Sequence, residues 1–237
     1  LSRIGRCHVR RLWTRLRGRI PQPELDRRRL SLQTRLVLLT TLILLAAGLG
    51  MLMFFETLPN LMDSNSPADA RPFMARTEPH YHALYAWFQS VTARTAGFNT
   101  VPIGQLTDSS QFLTIVLMFI GASPGSTGGG IKTATLAVVF CGVWSMLRNR
   151  QNTHAFKRSI PQNIFLRSLV IITLGGAVVV AATLALSVAH EGMAFLDAMF
   201  EATSAFGTVG LSTGVTPQLN HLGRLLIIAV MFIGRVG

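Results

Sequence analysis

Acidic residues are scarce in this chain, which has ten aspartates and glutamates beside 22 lysines and arginines among its 237 residues. Charge of either sign is missing from two long runs, residues 36–55 and 168–189. A helix of about 20 apolar residues crosses the roughly 30 Å hydrocarbon core of a bilayer, so each run can span a membrane. Because 49% of the residues are apolar, the pattern excludes an ordinary soluble domain and predicts an integral membrane protein embedded in the lipid bilayer.

The chain has few cysteines for disulfides, and its basic N-terminal arm has few aromatic residues for nucleic-acid binding. The two cysteines, Cys7 and Cys141, are assigned to the cytoplasmic arm or the inner half of a span, so we expect no disulfide framework. Eleven arginines lie between Arg3 and Arg35, but Trp13 is the only aromatic residue interleaved with them. The formal charge of +12 therefore does not predict nucleic-acid binding, which uses aromatic residues for base stacking.

The basic residues instead predict orientation. A second basic cluster lies in residues 148–167, whereas the intervening segment 56–78 carries acidic residues. By the positive-inside rule, residues 1–35 and 148–167 are expected in the cytoplasm. The first apolar run is too long, and follows too long a basic arm, to be a secretory signal. We therefore expect a plasma membrane location, corresponding to the inner membrane of a bacterium.

One stretch of the sequence occurs twice. Residues 90–100 align without gaps on residues 203–213, and both copies carry Thr-x-Gly followed by a large apolar residue, a small polar residue and threonine. The segment 81–94 before the first copy allows only about four helical turns, or roughly 20 Å, which is too short to cross. Irregular backbone at membrane depth must be buried in protein or line a cavity, so we interpret 84–101 and 192–214 as re-entrant pore loops. Surface helices with ordinary glycine C-caps would explain either copy alone, but two matching copies disfavour them.

The pore loops carry the groups that a dehydrated cation needs. Backbone carbonyls can replace a hydration shell, and Thr208-Val209-Gly210 is the core of a potassium-channel filter sequence. Helix C-termini aimed at the cavity favour a cation over an anion, and we expect Arg94 to cap the carbonyls of its own helix behind the loop. Potassium is thus predicted as the transported substrate, with no cofactor and no other metal. The candidate potassium-binding filter residues are Thr95, Ala96, Gly97, Phe98, Thr208, Val209, Gly210 and Leu211.

A glycine-rich break interrupts the last apolar region of the first copy. Residues 121–130 contain five glycines and one proline, a composition that does not hold a stable helix. We therefore predict one broken inner helix over 111–147. Its insert can adopt alternative backbone conformations below the filter and is expected to act as a gate.

The predicted fold class is an all-α integral membrane protein of repeated units, each made of a helix, a re-entrant pore loop and a second helix, as in potassium-channel-like transporters. The predicted segments are a basic cytoplasmic arm, 1–35; a first unit, 36–147; a basic cytoplasmic loop, 148–167; and a second unit with a truncated inner helix, 168–237.

Three motifs, in residues 92–100, 125–133 and 204–211, give the chain a family resemblance. The chain resembles the Trk/Ktr/HKT superfamily of potassium transporters over roughly residues 30–237. The resemblance implies four such units around one pore, with these two as the third and fourth, so that this chain alone would not conduct. It also implies a homodimer and a cytoplasmic nucleotide-binding regulatory subunit.

The resemblance further implies a gate under the filter. It makes the broken helix an intramembrane gating loop and places Arg235 toward the pore. An ionisable residue in an apolar helix usually faces a bundle interior or a water-filled cavity, and this rule agrees with the position that the resemblance implies for Arg235. The sequence leaves the depth of Lys132 in the membrane open. The candidate gate residues are Gly125, Ser126, Thr127, Gly128, Gly129, Gly130, Lys132 and Arg235.

Two enzyme motifs overlap the break. Residues 121–125 fit G-x-S-x-G, with Ser123 as nucleophile, but that elbow requires a preceding strand, and an intramembrane protease would still need a histidine base at depth. Residues 125–132 nearly match a phosphate-binding loop, but Ile131 separates the last glycine from the lysine. The sequence therefore predicts potassium uptake and no enzymatic activity, with an intramembrane serine protease using Ser123 as the alternative.

Overall fold

The computed structural model describes residues 32–62, 78–148, 153–155, 158–190 and 192–236. Its helices are α1 Leu32–Met62, α2 Pro79–Thr92, α3 Asp108–Phe119, α4 Thr133–Leu147, α5 Gln162–Ala189, α6 Phe195–Gly207 and α7 His221–Val236. The strands β1 Thr153–Ala155 and β2 Arg158–Ile160 form an antiparallel hairpin, and single 3-10 turns occupy Ile103–Gln105 and Thr216–Gln218.

Helix lengths divide the described elements into two classes. Gln33–Leu58 within α1 and the whole of α5 are long and apolar enough to cross a membrane. The helices α2 and α6 have 14 and 13 residues, which corresponds to roughly 20 Å each. The order of a long helix, a short helix, a loop and a further helix occurs twice, and α3 and α4 are the two halves of the interrupted helix in the first copy.

Helix α1 is longer at both ends than its charge-free run. Its first four residues, 32–35, lie in the segment predicted as the basic arm, and the rest of that arm is outside the described residues. At the other end the helix passes the first acid, Glu56, and continues to Met62. The Glu56 side chain is fully buried, and its Oε1 accepts hydrogen bonds from Thr107 N and Oγ1 at 3.0 Å each. The acid therefore lies within α1 and joins this helix to the start of α3.

The segment 148–167, predicted as a loop, is partly structured. It contains the β hairpin, which is an addition to an otherwise helical fold, and α5 begins at Gln162, six residues before the charge-free run. Pro161 stands at the N-cap of α5 with a φ of −57°, the value that the proline ring imposes and that suits a helix start. The first turns of α5 carry polar side chains that are exposed, so the helix extends past its apolar part.

Helix α6 lies at the centre of the described fold. It packs against α3, α5 and α7, while α1 packs against α2, α3 and α4. From Ala198 to Gly207 every α6 residue except Met199 is buried. Large apolar side chains on α1, α5 and α7, such as Leu42, Leu174 and Leu225, are exposed, as expected for surfaces that contact lipid tails or neighbouring helices in a membrane. The candidate site is therefore built around the most enclosed helix.

Gly48 on α1 allows α2 to approach closely. A Cβ at this position would lie 2.3 Å from Ser90 Oγ and 3.1 Å from Leu117 Cδ1. Ser90 Oγ donates a hydrogen bond to Leu45 O at 3.1 Å, so the two helices are joined by packing and by a polar contact. Small residues and interhelical hydrogen bonds are the usual means of association between helices in a bilayer.

We predict that Gly48→Leu destabilises the protein by about 1–3 kcal/mol, the usual cost of overpacking. Gly50→Leu is the matched control, because a Cβ at Gly50 would meet nothing within 4 Å. Thermal unfolding of both purified variants in the same detergent tests this. Equal midpoints for the two variants would show that α1 and α2 do not depend on this contact.

Candidate functional site

The two filter loops, 95–98 and 208–211, share an unusual backbone. Thr95 and Gly97 have φ angles of 68° and 74°, and Thr208 and Gly210 have φ angles of 52° and 93°, while the residue between each pair has a negative φ. A positive φ is rare for a β-branched residue and marks strain that the surrounding structure must hold. Alternating signs of φ point consecutive peptide groups the same way, as a row of carbonyl ligands requires.

A hydroxyl on the preceding helix fastens each filter loop. Thr92 Oγ1 donates to Phe98 O at 2.7 Å and accepts from Phe98 N at 2.9 Å. In the second loop Ser204 Oγ donates to Leu211 O at 2.6 Å. The carbonyls of Phe98 and Leu211, the residues after the two filter glycines, thus point at the preceding helix. They differ in this respect from the other predicted filter residues. The remaining candidate ligands are the carbonyls of the two Thr-x-Gly segments.

The two filter loops touch each other. A Cβ on Gly97 would lie 2.1 Å from Val209 O, so the two backbones are in direct contact. Gly210 has the opposite environment, because a Cβ there would meet nothing within 4 Å. Glycine is therefore required for space and for φ at Gly97, but only for φ at Gly210.

Arg94 does not cap its own helix, contrary to the sequence-based expectation. Its Nη1 donates to Thr41 O on α1 at 3.5 Å. The end of α2 is already closed by backbone groups, because Thr92 O accepts from Ala96 N and Gly97 N at 3.2 Å each. The guanidinium is directed toward α1 and joins the first filter loop to that helix.

The glycine-rich break, residues 121–130, leaves α3 and returns beside it. Ile131 N donates to Phe119 O at 3.3 Å and Thr133 N donates to Ala122 O at 3.4 Å, which closes the base of the excursion. Three predicted gate residues form the exposed tip: Gly125, Ser126 and Thr127. The break therefore has a fixed base and an open tip.

The base of the break contacts the first residue of both filter loops. Gly129 N donates to Thr208 Oγ1 at 2.7 Å. A Cβ on Gly128 would lie 2.9 Å from Thr95 Oγ1, so the backbone of the break also lies against the first loop. These contacts bring Gly128 and Gly129 to the filter, whereas the tip residues of the break are not joined to it by any hydrogen bond within the described ranges.

The two charged gate candidates have different surroundings. Lys132 Nζ donates to Gly128 O, within the base of the break. Arg235 is exposed in the last turn of α7. Its neighbour Gly234 accepts a hydrogen bond from Gly130 N at 3.3 Å, and a Cβ on Gly234 would lie 2.0 Å from Phe206 O. The structure therefore ties Lys132 and the backbone of α7 to the break.

Ser123 does not sit in a nucleophile elbow. The helix α3 precedes it, and its carbonyl accepts from Ser126 N at 3.1 Å in a turn of the break. Across the part of the chain that the structure describes, no histidine is hydrogen-bonded to its hydroxyl. The arrangement lacks the nucleophile and base pair that covalent catalysis needs.

Glu201 was missed by the sequence analysis. This α6 residue is 4% exposed and accepts from the hydroxyls of Ser212 and Thr216 and from Thr213 N. Its signal in the sequence is an acid inside a short apolar helix, followed eleven to fifteen residues later by hydroxyl side chains. Buried carboxylates are rarely tolerated without such partners.

A family model described as "TrkH: Cation transport protein" matches residues 7–237. The Ktr system potassium uptake protein B of Vibrio alginolyticus is 39% identical over 209 residues, covering 88% of this chain and 43% of that protein. The protein of the same name from Bacillus subtilis (strain 168) is 37% identical over 211 residues, covering 87% of this chain and 44% of that one. The chain therefore spans less than half the length of these relatives.

A solved structure shows the same fold. The crystal structure of the potassium transporter TrkH from Vibrio parahaemolyticus matches with a TM-score of 0.64 at 20% identity, covering 86% of this chain and 42% of that chain. The predicted fold class, a helical integral membrane protein of repeated units, is confirmed by this match.

We predict that Gly97→Ala destabilises the protein more than Gly210→Ala. Both changes place a side chain at positive φ, which costs about 1–2 kcal/mol, but only the first also forces a Cβ against Val209 O and adds an overpacking cost of about 1–3 kcal/mol. Thermal unfolding in detergent measures both variants side by side. Equal shifts would mean that the two loops do not touch as described.

Proposed function

The chain belongs to the TrkH family of cation transport proteins, and from that premise we propose that it forms two of the units that line a potassium-uptake pathway. The observation that carries the proposal is the pair of Thr-x-Gly loops with alternating φ, each following a short helix. The C-terminal ends of α2 and α6 carry partial negative charge at these loops. That charge stabilises a cation whose water shell is replaced by carbonyls.

The proposed ion ligands are a smaller set than the eight filter residues predicted from the sequence. The carbonyls of Phe98 and Leu211 accept hydrogen bonds from Thr92 and Ser204, so they hold the loop and leave ion binding to the carbonyls before them. The proposed ligands are the carbonyls of Thr95, Ala96, Gly97, Thr208, Val209 and Gly210.

The proposed gate is the base of the glycine-rich break. Its contacts with Thr95 and Thr208 support an obstructing position directly at the filter loops. Glycines lower the cost of a second backbone arrangement, so the open and closed states need differ by only a few kcal/mol. Lys132 holds the closed arrangement through Gly128 O, and Arg235 is proposed to face the pore from the end of α7.

The partners are proposed from the family and from charge. We expect a homodimer in the lipid bilayer of a bacterial inner membrane, with residues 1–35 and 148–167 in the cytoplasm by the positive-inside rule. A cytoplasmic nucleotide-binding subunit is the proposed regulator, and no nucleic acid is expected to bind.

The serine-protease alternative is wrong, because the chain belongs to a family of transport proteins. The structural reason lies in the break itself, where Ser123 follows a helix and not a strand. The glycines and small residues of the break form a turn.

We predict that the full-length protein restores rubidium uptake to cells that lack potassium transport, and that Gly210→Ser lowers its rubidium-to-sodium uptake ratio. Serine at a φ of 93° strains the loop and displaces the carbonyl ligands, whereas the open space around Gly210 leaves folding largely intact. Tracer uptake of both ions tests this. A wild-type protein that does not distinguish rubidium from sodium would refute the proposed function.

We also predict that deleting residues 128–130 raises rubidium flux and reduces its dependence on a regulatory subunit. The deletion removes the base of the break and with it the hydrogen bond to Thr208. Deleting the exposed tip, residues 125–127, removes the same number of residues and is the control, because it leaves the base contacts in place. Equal flux in both well-folded deletions and the wild type would mean that the break is only a kink.

A further inference from the structure

We propose that Glu201 is a positioning residue that fixes the outer mouth of the second filter loop and thereby sets its ion discrimination. The outer-mouth segment is residues 212–216, which directly follow the filter loop 208–211. The inference rests on the proposed potassium pathway and adds a specificity-determining residue that lies outside the ion-contacting backbone.

The Glu201 carboxylate gathers the outer-mouth segment. Its Oε1 accepts from the Ser212 hydroxyl and, at 3.3 Å, from Thr213 N, while Oε2 accepts from Thr216 Oγ1 at 2.6 Å. Ser212 Oγ also lies 3.0 Å from Thr216 Oγ1 and accepts from Gly214 N at 3.0 Å. One side chain thus binds three of the five residues of this segment directly and a fourth, Gly214, through Ser212.

The chemistry of these partners favours a carboxylate. Three donors converge on two oxygens, and an ionised carboxylate accepts at both oxygens without offering a donor of its own. Hydrogen bonds to a charged acceptor are about twice as strong as neutral ones. At 4% exposure these bonds also offset the cost of keeping the carboxylate out of water. An amide of the same shape has one acceptor oxygen and an NH2 group, so one hydroxyl would have to accept instead of donate, and every remaining bond would lose its charge assistance.

The Glu201 network affects the filter through Gly210, which lies two residues before Ser212. A Cβ at Gly210 would meet nothing within 4 Å, so the space on that side of its Cα is open. Among the described residues no hydrogen bond holds the Gly210 carbonyl, so its direction depends strongly on how the neighbouring residues of the chain are held. Leu211 O is held by Ser204, and the next two residues, Ser212 and Thr213, are held by Glu201. Loss of the carboxylate therefore releases the chain two residues from a proposed ligand.

The first filter loop is held differently. The ungapped alignment of the two copies places Phe88 opposite Glu201, so the first loop has no acid at this position. Gly97 is instead packed against Val209 O, and Thr92 binds both backbone groups of Phe98. The carboxylate is thus specific to the second loop.

A double-mutant cycle on the rubidium-to-sodium uptake ratio of the full-length protein tests the inference. We expect Glu201→Gln to lower the ratio by about threefold or more, since hydrogen bonds to a charged group carry more than a factor of ten in equilibrium terms. Ser212→Ala combined with Thr216→Val should lower the ratio in the same direction. Adding Glu201→Gln to that pair should have little further effect, because both changes remove the same network.

The control is Thr203→Val on the same helix. Thr203 is fully buried and its hydroxyl donates only to Met199 O, at 2.7 Å, so its loss should leave the ratio unchanged. Thermal unfolding in detergent identifies variants that fail to fold, and if Glu201→Gln fails, the Ser212→Ala and Thr216→Val pair decides the question. An unchanged ratio in the folded variants, or strictly additive effects, overturns the role of Glu201. A wild type without discrimination overturns the proposed pathway, and this inference with it.

Discussion

The proposed site depends on one constraint, which is that non-helical backbone at membrane depth must have its polar groups satisfied by the protein or by water in a cavity. The two filter loops and the glycine-rich break are non-helical, and hydroxyl side chains bind them. Thr92 and Ser204 bind the carbonyls that follow the filter glycines, and Thr208 binds the backbone of Gly129. Each of these hydroxyls bonds a backbone group in a loop and not the carbonyl one turn earlier in its own helix. Threonine and serine at these positions therefore make an irregular backbone compatible with the bilayer interior.

The same contacts couple the filter to the break. Thr208 is both the first residue of a filter loop and the acceptor for Gly129 N, so a movement of the break changes the surroundings of a proposed ion ligand. Gly234 extends the coupling to α7, because it packs against Phe206 O and accepts from Gly130 N. The proposed gate is therefore continuous with the filter loops. In this proposal, opening breaks the hydrogen bond between Gly129 and Thr208, and conduction would depend on the state of that loop.

The sequence was informative where the pattern is local and uninformative where partners are distant. Charge-free runs, the repeated Thr-x-Gly and the glycine cluster predicted the helical fold class. Helix α1 continues past the charge-free run because Glu56 is buried and bonded to Thr107, which lies 51 residues away in the chain and could not be identified from spacing. Arg94 was assigned to its own helix for the same reason, since Thr41 could not be identified as its acceptor from spacing. The role of Glu201 could not be predicted from the apolar sequence around it, because its three donors converge on the carboxylate only in the folded chain.

The two filter loops are not equivalent, and the contacts suggest an order of dependence. The second loop continues from α6, the most enclosed helix, and its own helix supplies Ser204 and Glu201 to hold it. The first loop rests on the second, because Gly97 packs on Val209 O. Helix α2, which carries the first loop, packs mainly against α1 and so lies farther from the enclosed centre. A distortion of the second loop can therefore reach the first one through the contact at Gly97, or through the base of the break, which lies against both Thr95 and Thr208.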